Sequence, residues 1–142
     1  MSAAVFHYAH RVTYAECTMG NHIYYSRYLD LLEAARGEFF RHLGCTLLHW
    51  QAQDTVFPVI ECRLRYKSPA RYDDVLDIEL RVIEAEGLRL SFDHRVRREH
   101  GLVLVEAETF HVCASCQDKP KRLPKELIEK VRPYILSGKG AS

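Results

Sequence analysis

Residues 24–44 read YYSRYLDLLEAARGEFFRHLG. Tyr28, Leu31, Leu32, Ala35, Phe39 and Leu43 recur at i, i+3 and i+4 spacing, which gathers them on one face of an α-helix. Ser26 stands near the start. Gly44 follows the last apolar position, where a glycine accepts the left-handed turn that closes a helix. The spacing predicts an amphipathic helix of about five turns, the longest periodic element in the chain.

Upstream of it, residues 6–14 are rich in aromatic and β-branched types and read as a strand, and the polar stretch 16–21, with Gly20, reads as a loop. Downstream the period falls to two. Residues 55–66 read as a long strand with Pro58 marking an edge or bulge near its start. The run 68–74, SPARYDD, is a turn. Residues 75–84, VLDIELRVIE, alternate as a half-buried strand. Glu86-Gly87 turns the chain into a strand over 88–97, and Glu99-His100-Gly101 turns it again into a last strand over 102–113. Residues 125–134 read as a short terminal helix interrupted by Pro133. The expected order is strand, long helix, then four strands in a meander. Segregated helices and strands make an α+β fold rather than an alternating α/β one. A curved antiparallel sheet can bury one face around the long helix. Its exposed edges favour pairing between subunits, so at least a dimer is expected.

The remaining arithmetic bounds the function. A chain of 142 residues reads as one domain, 1–142. Its apolar content of 47% and net charge of +1 exclude a mainly disordered chain and a global polyanion-binding surface, so no nucleic-acid partner is expected. No apolar run approaches the ~20 residues that span a bilayer, and the first residues, MSAAVFHYAHRV, lack the apolar core of a secretory signal. The five cysteines, an odd number, fit free thiols in a reducing compartment, so a cytoplasmic location without a membrane partner is expected. Cys113 and Cys116 form a lone C-x-x-C with no second pair, and in β conformation positions three apart point to opposite faces, so no metal site is expected. There is no G-x-S-x-G elbow, no P-loop and no dinucleotide glycine fingerprint. Eight histidines show no H-x-x-x-H spacing on a helix, and His94 and His111 fall in strands.

The segment TYAECTMGNHIYYSRYLDLLEAARGEFF, followed by YKSPARYDDVL, resembles the hotdog-fold acyl-CoA thioesterases, nearest to the 4-hydroxybenzoyl-CoA thioesterase-like branch that includes the Tol–Pal-associated enzymes. The loop before the helix, Tyr24 with Tyr28, the run Glu33-Ala34-Ala35-Arg36 and SPARYDDVL carry the resemblance in order over nearly the whole chain. It implies a curved antiparallel sheet wrapped around one long central helix, and hydrolysis of an acyl thioester of coenzyme A or of acyl carrier protein. Coenzyme A then belongs to the substrate, and no separate cofactor is expected. The resemblance also implies a backbone N–H at the helix start, that of Tyr25, as donor to the thioester carbonyl, consistent with the free N–H groups and partial positive charge found there. The aspartate that the family carries in the first loop falls here on Thr18, whose hydroxyl needs a neighbouring base to act as a nucleophile.

Three groups can replace it. Glu33 lies on the helix, where other hotdog thioesterases use a glutamate, and burial among Leu31, Leu32 and Ala34 is expected to raise its pKa. Glu16 reaches the same pocket if the loop folds back. His22, beside the helix start, can bind or activate water. Asn21 can orient water or the carbonyl. Arg36 is comparable to the helix arginine of polyketide-releasing hotdog thioesterases, which also lack the acidic loop residue. For coenzyme A, basic character is expected at Lys67, Ser68 and Arg71, at Arg89 and Ser91, and at Lys119, Lys121 and Arg122. Trp50, Phe57, Tyr24 and Tyr25 are candidates for the acyl pocket. The rival readings are a non-catalytic acyl-thioester-binding module and a polyketide-releasing thioesterase. A hydratase needs an Asp–His pair in a motif the sequence lacks. The assembly is expected to be a homo-oligomer, a dimer or a tetramer.

Overall fold

The computed structural model describes residues 3–136; the ends of the expected 1–142 span, residues 1–2 and 137–142, lie outside it. The predicted helix is α1, Arg27–His42, with Tyr28, Leu31, Leu32, Ala35, Phe39 and Phe40 buried. Its end is a Schellman motif: Gly44, at φ +81°, donates to the Arg41 carbonyl at 3.0 Å, and the Cys45 N–H reaches the Phe40 carbonyl at 3.1 Å. A Cβ at Gly44 meets nothing within 4 Å, so only backbone strain opposes a substitution. Gly44→Ala is expected to destabilise the fold by about 1 kcal/mol, read from the shift in urea midpoint.

The strands are β1 (Phe6–Arg11), a two-rung hairpin β2 (Cys17–Thr18) and β3 (His22–Ile23), then β4 (Val59–Tyr66), β5 (Val75–Glu86), β6 (Arg89–Arg98) and β7 (Val103–Val112). The five long strands form one antiparallel sheet in the order β1-β5-β6-β7-β4. Leu76, Ile78, Leu80 and Val82 of β5, and Leu90, Phe92 and Val96 of β6, are buried in the same core as α1. Register breaks at Val59/Glu61, Val82/Glu84 and Val96/Arg97 bend the strands.

Three expectations are corrected. Strands β5 to β7 do form a meander, but β4 is not its first member. It crosses to the far side and pairs with β7, Val59 opposite His111 and Tyr66 opposite Val105. The strand expected over 55–66 starts only at Val59, because the preceding segment carries a short helix, α2 (Leu47–Gln51), capped by Thr46 Oγ1 accepting the His49 N–H at 3.2 Å. The 16–21 loop is a 3-10 turn, Tyr14–Glu16, followed by the β2–β3 hairpin. At the C-terminal side, α3 spans Lys125–Val131, and a 3-10 turn, Arg132–Tyr134, takes up Pro133. Among the described residues, no helix is long and apolar enough to cross a membrane.

Candidate active site

The hairpin is held in place before α1 begins. The Ile23 N–H donates to the Ala70 carbonyl and the Tyr24 N–H to the Glu16 carbonyl, both at 2.9 Å. Asn21 takes a left-handed conformation, φ 59°, and its Oδ1 accepts the Tyr72 N–H at 3.2 Å. Arg71 donates to the carbonyls of Gly20 and Asn21 at 3.2 and 3.3 Å. The SPARYDD turn is therefore the clamp for the hairpin.

Beyond the hairpin, Tyr24 to Arg27 form a turn closed by the Arg27 N–H on the Tyr24 carbonyl at 2.9 Å. The Tyr25 N–H finds no acceptor among the described residues. It lies in this turn, just before the cap residue Ser26, rather than in the first helical turn. Tyr66 Oη donates to the Tyr25 carbonyl at 3.2 Å, which ties the turn to the end of β4. Thr18, His22, Tyr24, Tyr25, Tyr28, Tyr66, Lys67 and Ser68 surround a cavity of about 420 Å³. An unpaired N–H just before a helix, on a residue that lines a largely aromatic cleft, can polarise a carbonyl oxygen.

Glu16 does not line this cavity. Its Oε1 accepts the Thr13 N–H at 2.8 Å and lies 2.8 Å from His10 Nε2. Burial pulls its pKa upward, but these two contacts outweigh that and hold the carboxyl below its ordinary value. It is a structural cap.

A second cavity, of about 280 Å³, opens at the other end of β4. Glu33, Arg36, Phe40, Phe57, Phe92 and His111 line it, with Val59 at its edge. Glu33 is exposed here, contrary to the expected burial, because its side of α1 faces away from the sheet. Arg36 is half-buried. Burial lowers its pKa below the ordinary arginine value. His111 is 4% exposed, its Nδ1 3.0 Å from the Phe57 carbonyl and its Nε2 3.1 Å from Thr109 Oγ1. Burial and the Arg36 charge push it down to about 4, outweighing the Phe57 contact. Both histidines expected in strands are there. His94 is fully buried with neither ring nitrogen partnered, and burial, then Arg36 and His111, hold its pKa far below the usual value.

The sequence model of the thioesterase-like superfamily matches residues 12–131. The chain belongs to that superfamily. Among its relatives, the acyl-CoA thioester hydrolase YbgC of Escherichia coli O6:H1 is 30% identical over 133 residues, 93% of this chain and 99% of its own. A protein of Thermus thermophilus superposes with a TM-score of 0.84 at 30% identity, covering 90% of this chain and 98% of its own. A 1,4-dihydroxy-2-naphthoyl-CoA thioesterase from Synechocystis, at 21% identity, shares the fold at a TM-score of 0.83 over 91% of this chain and 96% of its own. The wrapped sheet is thus the hotdog fold of these thioesterases.

Within this superfamily chain, the candidate residues divide between the two cavities. Thr18, His22 and Tyr25 meet in the first, with Asn21 in the hairpin beside them; Glu33 lies in the second. The basic candidates divide likewise. Ser68 and Arg71 sit at the Tyr66 end of the sheet, whereas Arg89 and Arg122 sit at the Val59 end, where the Leu123 N–H bonds to the Gly87 carbonyl at 2.8 Å. The ten residues of β6 separate these ends, roughly 30 Å at about 3.3 Å per residue. Some are already engaged. Lys121 Nζ donates to the Asp54 carbonyl and Thr55 Oγ1, both at 3.0 Å, and Ser91 is only 2% exposed. Of the acyl-pocket candidates, Tyr24 and Tyr25 line the first cavity, Phe57 lines the second, and Trp50 is core at 1% exposure. Tyr66 and His111 were absent from the sequence-based site. Tyr66 reads there as an ordinary strand end, and no local spacing links it to Tyr25, 41 residues away.

Proposed function

We propose that the chain hydrolyses acyl-CoA thioesters at a site completed by a second copy of itself. The observation that carries this reading is β4. It is an edge strand whose outer side has no partner among the described residues, and it exposes Val59 at 44%, Ile60 at 63% and Tyr66 at 48%. An open edge of eight residues, its Ile60, Cys62, Leu64 and Tyr66 alternating with Glu61, Arg63 and Arg65, leaves free backbone groups for another strand. Two-fold pairing of β4 with its copy is antiparallel and isologous. It sets the Tyr66 end of one protomer against the Val59 end of the other. The first cavity of one copy then adjoins the second cavity of its partner, and the basic residues of the two sheet ends converge as well.

In that arrangement the Tyr25 N–H polarises the thioester carbonyl. The partner's Glu33 takes a proton from water as the water oxygen attacks the carbonyl carbon; the C–S bond then breaks and the departing sulfur takes that proton back from Glu33, giving free acid and thiol. Thr18 and His22 line the space in which carbonyl and water are held, and Asn21 sets the hairpin. Lys67, with Arg89 and Arg122 from the partner's end, supplies the basic rim for the phosphates of coenzyme A; Ser68 adds a hydroxyl, Arg71 and Lys121 add positive charge from positions already bonded to backbone carbonyls, and Ser91 lies beneath. Coenzyme A enters as part of the substrate, and no other cofactor is needed. Acyl carrier protein is the second carrier considered. The assembly is a dimer or a dimer of dimers, and the location is cytoplasmic. The rival reading, a binding module without turnover, draws on Thr18 in place of a loop carboxylate.

A free-thiol release assay over aliphatic and aromatic acyl-CoAs, run beside sedimentation velocity, tests the proposal. The expected result is turnover by a dimer or larger species. Ile60→Asp combined with Cys62→Asp sets like charges along the pairing edge. This pair is expected to yield monomers whose kcat/KM is lower by about 100-fold or more, as when reacting groups are misplaced. Saturable binding without thiol release identifies a binding module instead, and full activity in a monomer rejects the shared site.

A further inference from the structure

The second cavity holds a cation with no partner. Arg36 makes no hydrogen bond or ion pair within reach among the described residues; even Glu33, one turn away on α1, is not close enough to pair with it. Its surroundings offset the loss of water only in part: Glu33 favours the charged form through space without touching it, and burial outweighs that. Phe40 stacks on Phe57 at 5.5 Å and 21°, and Phe92 meets His111 edge-on at 5.4 Å. His111 has both nitrogens engaged, one at the Phe57 carbonyl and one at Thr109. Glu33, at the rim, is exposed and solvated. A guanidinium taken partly out of water without an anion is costly. Its planar fork matches a carboxylate, which restores the lost hydrogen bonds bidentately.

We propose that Arg36 selects acyl groups bearing a carboxylate, so that the preferred substrates are thioesters of small dicarboxylic acids, aromatic or aliphatic. This inference rests on the hydrolytic reading above. The aromatic walls accept the body of the acyl group, and the guanidinium binds the carboxylate remote from the thioester.

Matched pairs test it: 4-carboxybenzoyl-CoA against 4-methylbenzoyl-CoA, and glutaryl-CoA against pentanoyl-CoA. The expected wild-type preference in kcat/KM for the carboxylated member is roughly 10–100-fold, the range for a charge-assisted hydrogen bond lost on truncation. In Arg36→Met that ratio is expected to fall to near one, whatever the absolute rates, while Arg36→Lys keeps part of it. A wild-type ratio near one, or a ratio that Arg36→Met leaves unchanged, overturns the proposal. Calorimetric binding of 4-carbamoylbenzoate against 4-methylbenzamide, whose amides stand in for the thioester, gives a second readout free of turnover. The carboxylate-bearing ligand bound more tightly by wild type, with that difference lost in Arg36→Met, upholds the selection even if thiol release is absent and the hydrolytic reading fails. Equal binding of the two ligands by wild type rejects it.

Discussion

Glutamine in place of Glu33 is expected to lower kcat for acyl-CoA hydrolysis by roughly 100- to 10,000-fold, the span typical of a lost general base, with a much smaller change in KM. The expectation follows from elimination among the carboxylates near the thioester site. Thr18, which stands opposite His22 in the hairpin, carries no carboxylate, and Glu16 is committed to Thr13 and His10. Glu33 lines the second cavity, which the proposed pairing of β4 edges brings to the partner's Tyr25. Because Glu33 is exposed and makes no ion pair among the described residues, Glu33→Gln is expected to melt within a degree or so of wild type. Loss of rate without loss of fold is the signature sought by thiol release and thermal denaturation together. Thr18→Asp placed in the Glu33→Gln background is expected to restore part of the rate. Unchanged turnover in Glu33→Gln removes this glutamate from the mechanism.

The second large effect is on acid stability. His94 and His111 are both held neutral in the folded chain. An unfolded histidine binds its proton near pH 6.5, whereas folded His111 waits until about 4. Between those limits the unfolded state carries more protons, so stability rises with pH and falls on acidification. The histidines' contribution is fully present above the unfolded value and is lost as pH drops toward the folded one. The slope is about 1.4 kcal/mol per pH unit for each histidine, or about 3 kcal/mol for His111 over the whole interval, a large share of a typical ~5–15 kcal/mol stability. Glu16 acts in the same direction lower down, since its depressed pKa gives stability that fades as pH falls through the folded value. Urea titrations from pH 7 to pH 4 at fixed protein concentration measure this. His94→Leu is expected to flatten the slope and leave the fold at least as stable at pH 7, because it removes two buried nitrogens that have no partner. An unaltered slope in that variant shows that His94 does not control the acid transition.

How far residues alone foretold the molecule depended on the range of the interaction. The face of α1 could be read directly, because six or so apolar side chains at helical spacing have one low-energy solution. The alternation of β5 showed which side is buried but was silent on neighbours, so β4 was put beside β5 when it lies beyond β7. Helix α2 escaped notice because five residues with one buried side chain, Trp50, set up no period. For the site, the aromatic cluster before α1 could be picked out, and SPARYDD could be read as a turn but not as the clamp on the hairpin. The basic residues were not separable by sequence. Arg71 and Lys121 look as free as Arg89 or Arg122, yet the fold engages the first two on backbone carbonyls. Glu33 was expected to be desolvated from its apolar neighbours in sequence, but adjacent positions on a helix point about 100° apart, and its own direction is outward.

The displaced position of β4 also governs how the chain reaches this state. Strand β1 must find β5 about 70 residues later, and β4 must wait for β7, with Val59 meeting His111. Such distant pairings give a high contact order, and loop-closure entropy must be met before either ladder forms, so folding belongs on the slower, millisecond-to-second side for domains of this size. On the ribosome, residues 59–66 emerge well before their partner strand. The open edge of β4 is then unsheltered during synthesis, and nascent chains brought close together can pair there before each has folded.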